Sequence, residues 1–362
     1  MSSPRSLSVI VPVRDGSATL GHALTAILAT NLARDDYEII VVDDASSDGS
    51  ADIAARYADT VVRLTSRKSG TAYARNRGAE LAQGDVLAFV DNDVMVQPDT
   101  LPRMVAMLSE YPGLDAVVAS HSSTTVAKNL VSEYWNLLLN FGERGRVGTG
   151  GDVASPCAAI RRSAFLSTGM YDEWRFDSAR LEGVDLGKRL AASGNEVLTT
   201  SELEVTGLSR WTVRTLSREV WNRSMLLARS LGYERTRAVI PGDVVFTLGR
   251  SFAAVFALLC VLAVSASFLP RPNLPVKAAL VLAGATALNA PALLFFLKKR
   301  GFAFALAVAP LHLLMQGINA AGLCAGWLLR DTIGDRAPDA ATQAYAEVGV
   351  ETWPPIPKVT GS

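Results

Sequence analysis

Residues 86–93, with the sequence VLAFVDND, decide the fold that we predict for this chain. An apolar run ends directly in the Asp-Asn-Asp triplet at 91–93, so a buried strand stops at two carboxylates that lie two positions apart. Similar apolar runs occur at LSVIVPV (7–13) and at EIIVVDD (38–44). Their continuous apolar character predicts strands that helices cover on both faces, which is typical of a parallel sheet.

Outward from this strand, short β-branched runs alternate with helical patterns between Leu7 and about His121. This alternation predicts repeated βαβ units, and therefore an α/β fold with a doubly wound, mostly parallel sheet. Ligands of such sheets bind beyond the C-terminal ends of the strands. We therefore expect the residues at these ends to share one site, and they include Pro12, Asp43, Asp44, Asp91 and Asp93.

The composition changes sharply along the 362 residues. Residues 1–237 have the mixed composition of a soluble domain, whereas charges nearly vanish between residues 244 and 329. Three apolar stretches have about the ~20 residues that cross a bilayer. They predict a C-terminal membrane segment with transmembrane helices at 251–269, 276–297 and 302–329. Residues 330–362 are expected to form a polar, flexible tail.

The positions of the basic residues predict the orientation in the membrane. The Arg-rich helical pattern before the first span and the Lys298-Lys299-Arg300 loop fall on one side, which the positive-inside rule places in the cytosol. An even number of spans, with one segment lying in the interface, is the alternative topology. The N-terminus lacks a signal-peptide pattern. We expect a multi-pass protein of the plasma or inner cell membrane with its first domain in the cytosol.

Charge and cysteine usage argue against two classes of function. Lys and Arg number 35, as do Asp and Glu, and no basic run is interleaved with aromatic residues, so nucleic-acid binding is not expected. The three cysteines, Cys157, Cys260 and Cys324, provide neither a disulfide framework nor a CxxC metal site.

Asp91 and Asp93 have a spacing that suits a divalent metal. Mg²⁺ and Mn²⁺ prefer oxygen ligands and often bind through one or two carboxylates together with diphosphate oxygens. A turn explains an isolated Asp-Asn-Asp triplet equally well. However, Asp43 and Asp44 end a second strand, and Arg75 lies in a helical pattern beside the same edge. The combination predicts a nucleotide site with a bound Mg²⁺ or Mn²⁺.

Four motifs, SVIVPVRDG, EIIVVDDASSDGS, GTAYARNRGAELAQGD and FVDND, resemble in order and spacing those of family 2 glycosyltransferases with the GT-A fold. A weaker likeness continues through CAAIRRSAF, LEGVDLGKRL and LSRWTVRTLSRE. The resemblance implies an EC 2.4 enzyme of hexosyltransferase type that inverts the anomeric carbon and uses a UDP- or GDP-sugar. It also implies nucleotide-sugar contacts by Pro12, Asp43, Asp44, Arg75 and Asp91, with Asp93 as the direct metal ligand beside Asp91.

The family usually supplies its catalytic base as the Asp of an EDxDL pattern. Here the pattern is EGVDL at 182–186, and Gly183 stands at the position of the base. Glu182 and Asp185 share one face of a predicted helix, so either is a candidate base. In the structural alternative, Glu182 serves the helix N-terminus and Asp185 pairs with Arg189.

A second departure from the family is Gly207, where related membrane-bound members often carry a His. The following Arg210 and Trp211 do match the family. They are candidates for pairing with the diphosphate and for stacking on the acceptor, although an interfacial Trp-Arg anchor explains them equally well.

The last predicted span contains a polar stripe of His312, Gln316 and Asn319 at helical spacing. Hydrogen bonding between helices is the role that we expect for these side chains. Pro291 and Pro310 are expected to kink their helices.

Together these features predict metal-dependent, inverting transfer of a sugar to a membrane-associated acceptor, either a lipid or a lipid-linked molecule. The alternative is a catalytically impaired relative that binds a nucleotide-sugar as a sensor or scaffold, and Gly183 and Gly207 support it. Nucleotidyl transfer to a sugar phosphate is a third hypothesis, but PVRDGSAT at 12–19 is a poor Gly-rich phosphate loop.

Overall fold

The computed structural model describes residues 6–65, 70–144, 147–150, 153–173, 181–230, 289–329 and 350–353. The chain forms two compact units. The first consists of residues 1–127, 146–210 and 335–362, and the second of residues 128–145 and 211–334. The units therefore do not follow the order of the sequence, because a segment from the middle of the chain groups with the C-terminal helices.

The first unit is built on one sheet, which has ten strands in the described residues. These are β1 (Leu7–Val13), β2 (Tyr37–Asp43), β3 (Thr60–Leu64), β4 (Val86–Val90), β5 (Val94–Val96), β6 (Leu114–Thr125), β7 (Gly148–Thr149), β8 (Cys157–Arg161), β9 (Glu196–Gly207) and β10 (Val350–Trp353). Their order is β10-β3-β2-β1-β4-β8-β6-β9-β5, with β7 paired to β9.

The strands β3, β2, β1 and β4 are neighbours and run parallel, as the apolar runs predict. Beyond them the sheet is mixed, because β8 is antiparallel to both β4 and β6, whereas β6 and β9 are parallel. The predicted α/β class with its doubly wound, parallel core is confirmed.

Helices cover both faces of this sheet. The described helices are α1 (Leu20–Leu28), α2 (Ser50–Tyr57), α3 (Thr71–Leu81), α4 (Thr100–Glu110), α5 (Leu130–Arg144), α6 (Arg162–Ser167), α7 (Leu181–Ala192), α8 (Val213–Ser230), α9 (Ala290–Arg300) and α10 (Phe302–Leu329). In β1, Val9 and Val11 face the core under α1, α2 and α4, and Ile10 faces the core under α3, α6 and α7. Each such buried side chain contributes roughly 1.5–3 kcal/mol, so burial on both faces fixes the strand.

The C-terminal tail differs from its prediction. Residues 350–353 form β10, which pairs antiparallel with β3, whereas a flexible tail is predicted for 330–362. The physical reason is that β3 otherwise has unpaired backbone groups along one side, and β10 satisfies them. The other tail residues lie outside the described part of the chain.

The described part of the second unit consists of the helices α5, α8, α9 and α10. Its apolar cluster joins residues of all four helices, among them Tyr134, Leu216, Phe296 and Leu311. An amphipathic helix buries its apolar stripe against such partners, which explains why α5 and α8 belong to this unit.

Polar side chains of α10 face its helical neighbours, as the polar stripe predicts. The Tyr134 hydroxyl lies 2.9 Å from Nδ1 of His312, whose Nε2 lies 3.1 Å from Oδ1 of Asn289. The Ser224 hydroxyl donates to Asn319. For His312 and Asn319, hydrogen bonding between helices is therefore confirmed.

Two glycines of α10 allow α8 to approach closely. A Cβ atom on Gly326 would lie 2.2 Å from the Met225 carbonyl oxygen, and one on Gly322 would lie 2.9 Å from the Ser224 Cβ. Small residues four positions apart are typical of closely packed helices in membranes. Larger side chains at either position would push the two helices apart.

The described residues contain one helix that is long and apolar enough to cross a membrane, Phe302–Leu329. The predicted span 251–269 lies outside the described residues. Of the span 276–297, the described part belongs to α9, which has 11 residues and is too short to cross a bilayer by itself. The predicted multi-pass topology is thus not supported in the described part of the chain.

Pro291 does not kink a helix, contrary to its prediction. It lies in the first turn of α9, whose N-cap is Asn289. Proline is favoured there because the first turn does not use the missing N–H group. Pro310 lies inside α10, and the kink expected there stays a prediction.

Candidate functional site

The loops after β1 and β2 are joined by side-chain hydrogen bonds. Oδ1 of Asp15 accepts from the Ser47 N–H at 2.8 Å and from its hydroxyl at 3.0 Å, and the Asp15 N–H donates to the Ser46 hydroxyl at 3.0 Å. Asp15 and Ala45 adopt left-handed φ angles of 49° and 55°. Such backbone persists where contacts over-determine it, and it is frequent at ligand sites.

Asp43 ends β2 with a fully buried side chain. Its Oδ1 accepts from the Ser46 N–H at 3.0 Å, and its Oδ2 lies 3.6 Å from Nε of Arg63. Oδ2 is nevertheless buried without a hydrogen bond. Asp43 therefore has one oxygen that fixes the loop and a second that lies near Arg63 without a hydrogen bond.

Asp44 is the second buried acid at this strand end. Its Oδ2 accepts from the Gly70 N–H at 3.0 Å and from the Arg14 guanidinium at 3.5 Å, and its Oδ1 is buried without a hydrogen bond. Burial raises the pKa of Asp44, and the bonds from Gly70 and Arg14 oppose that rise. Asp44 offers one oxygen to a hydrogen-bond donor of a ligand.

Arg75 of α3 is buried and bridges two carboxylates. Its Nη2 donates to Oδ1 of Asp91 at 2.7 Å, and its Nη1 donates to Oε1 of Glu182 at 3.1 Å. The ring of Tyr171 packs on the guanidinium, with 5.5 Å between its centroid and Cζ. Burial opposes the charge, but the two carboxylates outweigh it and raise the pKa of Arg75. The structure thus joins a predicted nucleotide contact to a candidate base.

Asp93 is oriented by the chain that follows β9. Its Oδ2 accepts from the Ser209 hydroxyl at 2.8 Å, and its carbonyl oxygen accepts from the Leu208 N–H at 2.8 Å. Asp91 is fixed separately, because its N–H donates to the Pro156 carbonyl at 2.8 Å and its Oδ1 is bonded to Arg75.

These carboxylates fit one kind of metal site. The described residues contain no group of three or more His, Cys, Asp or Glu side chains that could hold a metal ion. Mg²⁺ and Mn²⁺ sites often use one or two carboxylates and complete their shell with diphosphate oxygens. Asp91 and Asp93 therefore suit a metal that binds together with a nucleotide.

Gly183, at the position of the family's base, is in close contact with neighbouring backbone. Its carbonyl oxygen accepts from the Val153 N–H at 3.1 Å. A Cβ atom on Gly183 would lie 2.7 Å from Cα and 2.8 Å from N of Ala154. An Asp at position 183 therefore does not fit unless this backbone moves.

Asp185 is engaged in an ion pair within its own helix. Its Oδ2 accepts from Nε of Arg189 at 2.7 Å, which is the contact of the structural alternative. Glu182 lies in the first turn of α7, as the structural alternative has it, but it also pairs with Arg75, and its Oε2 is buried without a hydrogen bond. This geometry favours Glu182 over Asp185 as the candidate base.

The remaining predicted residues have different surroundings. Pro12 is buried in β1 opposite Val42, and Arg210 is exposed. The Trp211 N–H donates to the Ser132 hydroxyl at 2.7 Å, and its ring lies 6.2 Å from that of Trp135. The contacts of Trp211 are therefore those of a packed residue in the second unit.

Two residues of the site are missing from the sequence prediction. Ser209, which donates to Asp93, lies next to Arg210 in LSRW, so its place in this motif could have identified it. Tyr171 packs on Arg75 but lies far from it in the sequence, and no local sequence pattern indicates this contact.

Comparisons with known proteins find glycosyltransferases similar to part of this chain. Residues 8–168 match the family model described as Glycosyl transferase family 2. Glycosyltransferase AglE of Haloferax volcanii is 32% identical over 115 residues, which is 31% of this chain and 38% of the relative. Undecaprenyl-phosphate 4-deoxy-4-formamido-L-arabinose transferase of Yersinia enterocolitica is 26% identical over 164 residues, which is 44% of this chain and 49% of the relative.

Among solved structures, this chain is similar to mannosyltransferase PcManGT from Pyrobaculum calidifontis in complex with GDP-Man and Mn²⁺, with a TM-score of 0.49 and 20% identity over 91% of this chain and 89% of that one. The matched region spans less than half the length of the two curated relatives, 38% and 49%. On the family match, residues 8–168 of this chain are similar to glycosyltransferase family 2.

Proposed function

We propose that this protein transfers a sugar from a UDP- or GDP-sugar, with inversion, to a lipid or lipid-linked acceptor, and that Mg²⁺ or Mn²⁺ assists. One observation carries the proposal. Four residues of the site have buried polar atoms without a hydrogen bond, namely Asp43 Oδ2, Asp44 Oδ1, Arg75 Nε and Glu182 Oε2. An unsatisfied buried group costs about 1–3 kcal/mol, so these four atoms favour a polar ligand that bonds to them.

The donor nucleotide is assigned to the strand-end loops. Asp43 and Asp44 each offer one acceptor oxygen, which suits the imide or amide N–H groups of a base and the hydroxyls of a ribose. Arg75 adds a buried positive charge beside Asp91. Together these groups favour a nucleotide over a neutral sugar.

Asp93 and Asp91 are the residues that would hold the metal. The Ser209 hydroxyl fixes one Asp93 oxygen and leaves the other for coordination. When bound there, a divalent cation neutralises charge on the departing diphosphate.

Glu182 is the proposed base. The acceptor hydroxyl oxygen bonds to the anomeric carbon while the bond from that carbon to the diphosphate oxygen breaks. The hydroxyl proton passes to Oε2 of Glu182, and the nucleoside diphosphate leaves with the bonding electrons. Arg75 holds the other oxygen, Oε1, at 3.1 Å and so orients the carboxylate.

The membrane-associated acceptor rests on two observations. The described residues contain one candidate span, Phe302–Leu329, and the printed name of the Yersinia relative includes undecaprenyl phosphate. We further propose residues 1–237 as the cytosolic catalytic region and 244–329 as the anchor in the cell membrane, followed by the tail at 330–362.

The second candidate is a sensor or scaffold that binds a nucleotide-sugar without transfer. The close contact between Gly183 and Ala154 supports it, because this contact excludes the family's base. Both candidates predict metal-dependent nucleotide binding, but only the enzyme predicts turnover.

The test uses the full chain in lipid nanodiscs, a panel of UDP- and GDP-sugars, a lipid-linked sugar that offers free hydroxyl groups as the acceptor, and Mn²⁺ or Mg²⁺. We expect release of nucleoside diphosphate that depends on the metal and on the acceptor. Binding of a donor without release from any member of the panel would instead establish the scaffold.

Asp93→Ala tests the metal site within the same assay. We expect metal-dependent donor binding to weaken by about 100-fold, because a ligand to the metal is lost. Glu202→Gln, which removes a charge from an exposed ion pair with Arg103, is the matched control. Unchanged binding by the Asp93 variant would remove Asp93 as a metal ligand.

A further inference from the structure

The turn that follows α6 has unusual backbone. Gly169 and Met170 are consecutive residues with left-handed φ angles of 88° and 60°. For a residue with a side chain, this conformation costs roughly 1–3 kcal/mol and persists only where surrounding contacts enforce it. The contacts that enforce the turn at 168–171 therefore point to its role.

Two side chains from different helices hold the backbone of this turn by hydrogen bonds, an arrangement that we call the lock. Arg189 of α7 donates from Nη1 to the Thr168 carbonyl and from Nη2 to the Met170 carbonyl, both at 2.7 Å. Asn76 of α3 donates to the Tyr171 carbonyl at 2.9 Å and accepts from the Tyr171 N–H at 3.1 Å. The turn thus connects α7 to α3.

Asp185 completes the lock. Its contact with Nε of Arg189 is a charge-assisted hydrogen bond that holds the planar guanidinium so that both Nη groups reach the turn. The guanidinium uses all three of its nitrogens in these bonds. Loss of the Asp185 charge would release the group that holds the turn.

The turn leads directly to the proposed base. It places the ring of Tyr171 against Phe89 and Phe165, with centroids 5.3 and 5.4 Å away, and against the Arg75 guanidinium. Arg75 in turn holds Glu182. A continuous series of contacts therefore joins Asp185 to Glu182 through the turn.

We propose that Asp185 and Arg189 are positioning residues, which lock the turn at 168–171 and, through Tyr171, hold Arg75 and Glu182 in the reactive arrangement. This inference rests on the proposed function, because it takes Glu182 as the base. It removes Asp185 from the candidate catalytic residues and gives it a different role in the same reaction.

Kinetics separate a positioning residue from a base. We expect Asp185→Asn to lower kcat by roughly 10–100-fold through misplacement of the reacting groups, with the donor KM nearly unchanged. Its kcat should still fall towards acidic pH as in the wild type. Glu182→Gln should lower kcat by ~10²–10⁴-fold and lose that acidic fall. Asp185→Glu, which keeps the charge, should recover most of the rate.

Two kinetic outcomes would overturn the assignment. Loss of the acidic fall in Asp185→Asn would make Asp185 the base. A kcat equal to that of the control Glu202→Gln, which changes an exposed ion pair with Arg103, would show that the turn does not affect the reaction.

Hydrogen exchange tests the lock without turnover. The amides of Met170 and Tyr171 donate to the Phe165 carbonyl and to the Asn76 side chain. In Asp185→Asn and Arg189→Met they should exchange about tenfold faster, as expected when about 1.4 kcal/mol of local stability is lost, and Glu202→Gln should leave them unchanged. Unchanged exchange overturns the lock. Wild-type protein that turns over no donor overturns the proposed function instead, and the exchange result still decides whether the lock exists.

Discussion

The end of β2 and the start of α7 each bring two acidic residues towards the site, but different contacts organise them. Asp43 binds the N–H of Ser46, three residues away, whereas Glu182 binds Arg75, which is 107 residues away. A local motif therefore identifies Asp43 and Asp44. The role of Glu182, by contrast, depends on a contact with Arg75 that only the fold creates.

The largest effect should come from the α7 side of this comparison. Glu182→Gln keeps a hydrogen-bonding side chain beside Arg75 but removes the acceptor for the proton, so we expect kcat to fall by ~10²–10⁴-fold. Donor affinity, measured by calorimetry with a non-transferable analogue, should change little. An equal loss of donor affinity would show that Glu182 acts in donor binding, as Asp43 and Asp44 are proposed to do, and not as the base.

Gly183→Ala should produce the next largest effect. The added methyl group meets the Ala154 backbone at 2.7 Å, so we expect the free energy of unfolding to fall by about 1–3 kcal/mol. Gly113→Ala is the control, because a Cβ atom there has no neighbour within 4 Å. Urea denaturation of both variants measures the difference, and equal losses would contradict the close contact.

The sequence predicts part of the fold and part of the site. The apolar runs predict the parallel strands, and the acidic residues at the ends of these runs, Asp43, Asp44 and Asp91, are predicted site residues because the strand ends share one edge of the sheet. The ion pair between Asp185 and Arg189 could also be predicted from the sequence, because the two residues are four positions apart on one helix. Gly183 resembles a lost base in the sequence, but its contact with Ala154 arises only when distant segments pack together.

Ser209→Ala should have a moderate effect on the metal site. It removes the hydrogen bond that orients Asp93, which typically contributes about 0.5–1.5 kcal/mol. We expect metal-dependent donor binding to weaken by roughly 2–10-fold, because 1.4 kcal/mol corresponds to a tenfold change. Ser6→Ala, which removes an exposed hydrogen bond to the Asp36 carbonyl, serves as the control. Equal affinities of the two variants would show that Asp93 does not need this partner.

The smallest effect should appear in the pH dependence of stability. Burial raises the pKa of Asp44 in the folded protein above its value of about 3.9 in the unfolded chain. The protonated, neutral carboxyl tolerates burial, so stability is fully present below the unfolded pKa. As the pH rises through the folded pKa, the buried carboxyl becomes charged and this stability is lost. Asp44→Asn removes that loss. Without donor, the variant should therefore gain stability relative to the wild type between pH 4 and pH 7, whereas exposed Asp52→Asn should not. A constant difference across this range would contradict the burial of a charged Asp44.

Strand β10 also has a consequence for the time course of folding. Its partner β3 lies at residues 60–64, yet β10 itself is at 350–353. During synthesis the parallel strands leave the ribosome long before β10 exists, so the backbone along one side of β3 stays unpaired for most of that period. Contacts of such large sequence separation form slowly. This edge of the sheet therefore stays open to pairing with other chains until residues 350–353 have been made.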